Sequence, residues 1–163
     1  MQNEISNKDY LGILIQSLNK KIVVLDKILV ENAKQSEIIA AEKFDFDKFD
    51  EVYAEKENLI NELKLLDNGF EKVYNRVKEI LDVDRELYKN EIKAMQDLIR
   101  IIISKAADVE VSEKRNHEAM TAKNVMLKKQ VKTVKLTNKA AAEYYQTMNK
   151  LKVVEPQFMD KKK

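Results

Sequence analysis

Apolar residues recur along most of this chain at alternating steps of three and four. Leu11, Leu18 and Leu25 are seven apart, and so are Ile15, Ile22 and Leu29. Such a pattern puts one stripe on an α-helix, the seam of a coiled coil. It predicts a first helix over 6–43, with Ser6 or Asn7 as its N-cap. The seam weakens after Leu29, where Asn32 and Ser36 take the expected places. Phe44-Asp45-Phe46-Asp47-Lys48-Phe49 fits no helical period. It predicts a turn, with Asp47 capping a second helix and Asp50 and Glu51 favouring its dipole. The second seam is longer. Val52, Leu59, Leu66, Val73, Ile80 and Leu87 form one register, and Phe49, Leu63, Phe70, Val77 and Leu98 the other. Lys56, Asp84 and Glu91 interrupt it. The register crosses Asn68-Gly69 without a shift, so Gly69 is read as a weak point of the helix, against the rival reading of an Asn-Gly turn. The seam continues through Met95, Ile99 and Ile102.

Asp108-Val109-Glu110-Val111-Ser112 breaks the pattern, and Ser112 would cap a third helix over 113–151. Its stripe is Met120, Leu127, Val134, Ala141 and Met148, joined by Val131 and Tyr145, with Asn124 and Asn138 on the same side. Pro156 ends any helix before it. The expected fold is all-α: an elongated antiparallel bundle of three long helices with coiled-coil-like packing. Residues 1–111 form the helical hairpin and bundle core, 112–152 a basic amphipathic C-terminal helix, and 153–163 a flexible tail.

Composition narrows the chemistry. Two glycines among 163 residues cannot supply the turns of a sandwich, a barrel or a Rossmann sheet, nor a phosphate loop. The absence of cysteine removes disulfides, iron–sulfur clusters, thiolate zinc and thiol nucleophiles. A single histidine, His117, forms no metal site with Glu113 alone and is read as a surface residue. Asp45-Phe46-Asp47 and Asp82-Val83-Asp84 fail as calcium loops, because Phe49 offers no side-chain oxygen and Asp50 and Leu87 stand where glycine is needed. Paired carboxylates without a pocket do not make an acid–base pair. No enzyme activity, cofactor or metal is expected. The most apolar run, Leu98 to Ile103, is too short for a membrane span and carries Arg100. The first residues do not resemble a signal peptide, and a cytoplasmic protein is expected.

Charge is unevenly placed. Residues 112–163 hold 13 basic and 5 acidic side chains, a balance of +8, whereas 1–111 hold 17 and 23, a balance of −6. No acidic residue lies between Glu118 and Glu143, where Lys123, Lys128, Lys129, Lys132, Lys135 and Lys139 stand. Lysines without interleaved aromatics or arginine read base edges poorly, so they are taken to clothe a helix rather than to bind nucleic acid. The third stripe is rich in small and flexible residues: Met120, Met126, Met148 and Ala140 to Ala142. Methionine-rich surfaces adapt to partner helices. The stripe reads equally as bundle core and as a partner surface.

Two amphipathic helices followed by a basic one resemble the FlgN-like flagellar export chaperones. The resemblance rests on the acidic turn at 45–51 and on Glu55-Lys56, Leu59 and Leu63 at the start of the second helix, with Tyr144-Tyr145 and the lysine-rich end after Phe158-Met159-Asp160. It implies a cytoplasmic chaperone that holds the C-terminal amphipathic helices of hook–filament junction proteins for the type III export apparatus. Met120, Leu127, Val131, Val134, Ala141, Tyr145 and Met148 would carry that contact. A self-associating structural coiled coil, with the third helix buried in a homodimer, is the alternative, and a basic nucleic-acid binder a weaker one.

Overall fold

A computed structural model describes residues 2–133, with side chains placed from 7 to 129. It contains three long α-helices: α1 (Gln2–Ala40), α2 (Phe46–Val83) and α3 (Lys89–Thr133). Among the described residues there is no strand. The all-α, three-helix bundle that the heptad pattern predicts is the fold.

The first seam is half as read. Leu11, Leu18 and Leu25 are buried, but the other register is Leu14, Ile28 and Gln35. Ile15, Ile22 and Leu29 are half-buried flanks. α1 starts at Gln2, so Ser6 and Asn7 lie inside it rather than capping it. α2 follows its expected seam closely, from Phe49 and Val52 through Leu59 and Leu63 to Val77. Its cap is Asp45, not Asp47: Asp45 Oδ1 accepts a hydrogen bond from Lys48 N at 3.1 Å. Starting the helix two residues earlier turns Phe49 fully into the core, and Asp47 becomes the acidic residue of the first turn. Gly69 is helical with an ordinary φ and open space around its Cα, so the seam wins over the turn signal.

The second corner is displaced from its expected place. The chain turns at 84–88 and α3 begins at Lys89, whereas 108–112 is uninterrupted helix. Two facts account for this. Met95, Ile102 and Val109 are buried at intervals of seven, so Val109 belongs to a seam, and a β-branched residue costs a helix only tenths of a kcal/mol. The Ser112 hydroxyl donates to Val109 O at 2.9 Å, satisfying itself inside the helix instead of capping one. At the real corner Leu87 is 71% exposed and Val83 82%. Leu87 keeps the seven-residue spacing without sharing the burial.

The packed helices form two compact units, one from 2–27 and 59–107 and one from 28–58 and 108–133. In the first, α1 and α2 run antiparallel. Lys21 pairs with Asp67 at 2.7 Å, and Arg76 donates to the Tyr10 hydroxyl at 2.6 Å while lying over its ring. Lys105 of α3 pairs with Asp26 of α1 at 2.6 Å. In the second, α1 and α2 meet at the 41–45 corner and α3 lies parallel to α1, because Asn32 meets Ser112, Gln35 meets Asn116 and Ala41 meets Lys123. An apolar cluster of Ile39, Phe44, Phe49 and Met120 closes the corner.

Candidate functional site

The polar residues that interrupt the seams converge in the second unit. From α1 come Asn32 and Gln35, from α2 Lys56, and from α3 Asn116, all buried, with Ser112 and Glu113 half-buried beside them. Their positions follow from the heptads: each occupies an inward place where an apolar residue would otherwise sit. The Lys56 ammonium, 1% exposed, forms an ion pair with the Glu113 carboxylate and donates to Gln35 Oε1 at 3.1 Å. Asn116 Nδ2 donates to Asn32 O at 2.8 Å and to Gln35 Oε1 at 3.2 Å. Asn32 Nδ2 donates to Ser112 Oγ at 2.7 Å. Burial pulls the Lys56 ammonium below its ordinary lysine pKa, and the nearby Glu113 and Glu31 carboxylates only partly offset this.

Chemically this is a closed layer rather than a reaction centre. Lys56 has almost no surface through which a substrate could reach it. Among the described residues no group of three or more His, Asp or Glu is placed to hold a metal ion. His117 is half-buried instead of on the surface, and its i−4 neighbour Glu113 is engaged by Lys56. No described helix is long and apolar enough to cross a membrane.

No family model, curated protein or solved structure matches this chain.

The expected partner-binding stripe is divided by the structure. Met120 is fully buried against Ile39, Phe44 and Phe49, and Leu127 packs on the same cluster. Met120 therefore faces the chain's own core, because the corner folds over it. Val131 falls within α3, but its side chain lies outside the described residues, as do Val134, Ala141, Tyr145 and Met148. On the described part of α3, Ile99, Ile101, Ile103 and Val111 are exposed, as are Val125 and Met126 nearer its end. Lys123 Nζ donates to Ala41 O at 2.8 Å. That cation sits at the C-terminal end of α1, whose own last turn has no basic residue.

Sequence reasoning recognised Asn32 and Lys56 as interruptions but missed Gln35, Ser112 and Asn116 as their partners. A signal existed. Polar residues fall at inward heptad places on three helices, and the α1–α2 corner brings the first two groups level.

Proposed function

We propose that this chain is an export chaperone of the FlgN-like kind, holding amphipathic C-terminal helices of hook–filament junction proteins in solution for a flagellar type III export apparatus. The supporting observation is the end of α3. α1 stops at Ala40 and α2 starts at Phe46, whereas α3 runs on for ten residues past Lys123, the residue that touches Ala41. Leu127 still packs on the corner cluster, so the six residues that follow it, about 9 Å of helix at ~1.5 Å per residue, lie beyond the hairpin's packing. Val125 and Met126 are exposed on the other faces of α3, and the stripe that starts at the packed Met120 and Leu127 continues in sequence through Val131, Val134, Ala141, Tyr145 and Met148. An amphipathic helix whose apolar positions outrun its own bundle suits a helix-in-groove contact. The lysines of 123–139 would speed encounter with an acidic client helix.

The mechanism is masking: the client's apolar face is covered, with no bond made or broken. Co-expression with hook–filament junction proteins tests it. A complex that survives purification and is lost in the V134E/Y145E/M148E variant is expected. No complex, or one indifferent to the three substitutions, overturns the proposal.

A further inference from the structure

A seam that repeats every seven residues fixes which face of a helix points inward but leaves its axial position open. Sliding the helix by one heptad, about 10 Å at ~1.5 Å per residue, returns a residue of the same face to each place. The 84–88 corner does not forbid such a slide. Val83 and Leu87 are exposed there, and the buried place of Tyr88 would pass to Met95 or Leu81, seven residues to either side, so the bend can move by the two turns that a heptad spans.

We propose that the buried polar layer of the second unit is a register key. It holds α3 at the one axial position where Met120 fills the Phe44–Phe49 cluster and Lys123 reaches the end of α1. This inference concerns how the chain sets its own packing and does not rest on the chaperone reading.

The bonding pattern itself is specific to position. Asn32 meets Ser112, Gln35 meets Asn116 and Ala41 meets Lys123, so one offset of about eighty residues satisfies all three. One of the bonds runs from Asn116 to the backbone carbonyl of Asn32, which no change of rotamer on α1 can relocate.

The two neighbouring registers fail in the same way. Advancing α3 by seven brings Met120 to the place of Glu113, Lys123 to that of Asn116 and Ala119 to that of Ser112. Lys56 then loses its carboxylate and gains a second cation. Retreating by seven brings Ala106, Val109 and Lys105 to those places, again leaving the Lys56 ammonium buried beside alanine and a cation. Glu31 of α1 stays near Lys56, but a buried ammonium that loses its paired carboxylate is still penalised. The layers on either side suffer as well, because advancing puts Asn116 in the place of Val109 and retreating puts Glu113 in the place of Met120. A single polar layer can thus select one register among several that the seams permit, at a cost in stability.

The chain has no cysteine, so spin labels can be placed at will. Glu37 and Glu118 are exposed and lie at the native offset. The Glu37→Cys/Glu118→Cys chain, spin-labelled and diluted into unlabelled protein, reports the α1–α3 distance within one molecule by pulsed electron resonance. A single narrow distance is expected. In the N32L/Q35L/K56M/E113L/N116L background, a second population displaced along the helix is expected. The charge swap K56E/E113K, made together with Glu31→Gln because Glu31 lies near Lys56, restores the pair and should keep the single distance. An unchanged single distance in the apolar-layer variant overturns the proposal, and so does a split distance in the swap. Circular dichroism establishes that each variant is helical. If the fivefold variant loses its helix content, N32L/K56M/E113L/N116L, which removes the ion pair and the Asn32 and Asn116 side-chain bonds, decides by the same criterion.

Discussion

Removing Glu113 alone and removing the Lys56–Glu113 pair together should have opposite effects on stability. In Glu113→Ala the ammonium, 1% exposed, loses its carboxylate while remaining buried. Breaking a buried pair from one side costs about 3–5 kcal/mol. The lower end applies here, because Gln35 Oε1 still accepts from Lys56 at 3.1 Å. In K56M/E113L neither charge remains. Replacing a buried pair by apolar residues of similar volume is neutral or stabilising by about 1–4 kcal/mol. The predicted gap between the two variants is therefore at least about 3 kcal/mol. Urea unfolding at 25 °C, followed by circular dichroism, measures both. For a chain of this size each kcal/mol moves the melting temperature by roughly 2–4 °C, so thermal melts give an independent reading. Equal losses in the two variants would refute the reasoning, since they would mean that the pair contributes net attraction and not merely relief of a buried charge.

Other expectations follow from the same packing. Across pH the gap between K56M/E113L and the parent chain should narrow. Burial lowers the Lys56 pKa in the folded state, so the unfolded chain binds that proton more tightly, and parent stability rises from the lowered value up to the ordinary lysine value of 10.5. Any opposing contribution from Tyr53, whose pKa burial raises, is common to both proteins. A gap that is flat or widens between pH 7 and 10, measured by urea midpoints, would contradict this. Met120→Ala should cost about 2–5 kcal/mol by leaving a cavity beside Phe49, checked by the same unfolding. Asp45→Ala removes the α2 cap and should cost about 1 kcal/mol; Asp47→Ala should cost less. Gly69→Ala fills open space in a helix interior and should raise stability by about 0.5–1 kcal/mol, visible as a higher urea midpoint.

The three-helix architecture was legible because heptads leave a long signature, and α2 shows it best, from Phe49 to Val77. The first corner was legible to within a few residues in the phenylalanines of 44–49, but the second was not, for two separate reasons. Val109 and Val111 suggested a break by propensity, yet Val109 lies on a buried seam, and tertiary packing outweighs tenths of a kcal/mol. Leu87 suggested continuity by spacing, yet it is exposed at the turn. There the better signal was composition: Asp82, Asp84, Arg85 and Glu86 crowd charge into five residues ahead of the α3 start. The polar layer was half visible. Asn32 and Lys56 stood out as faults in their seams, but a single seam does not say which fault on another helix it will meet. That pairing depends on where the chain turns. Met120 shows the same dependence: read alone it is an adhesive residue, and beneath the 41–45 corner it becomes core.

The proposed role turns on whether the distal part of α3 takes up a client helix. Hydrogen exchange of the full chain, with and without a saturating C-terminal peptide of a hook–filament junction protein, tests it directly. Slowed exchange is expected from about Val125 onward through the Val134–Met148 stripe, with the Leu11–Ile28 segment of α1 unchanged. No slowing anywhere at saturating peptide, or slowing confined to the Leu98–Ile103 segment, would contradict it.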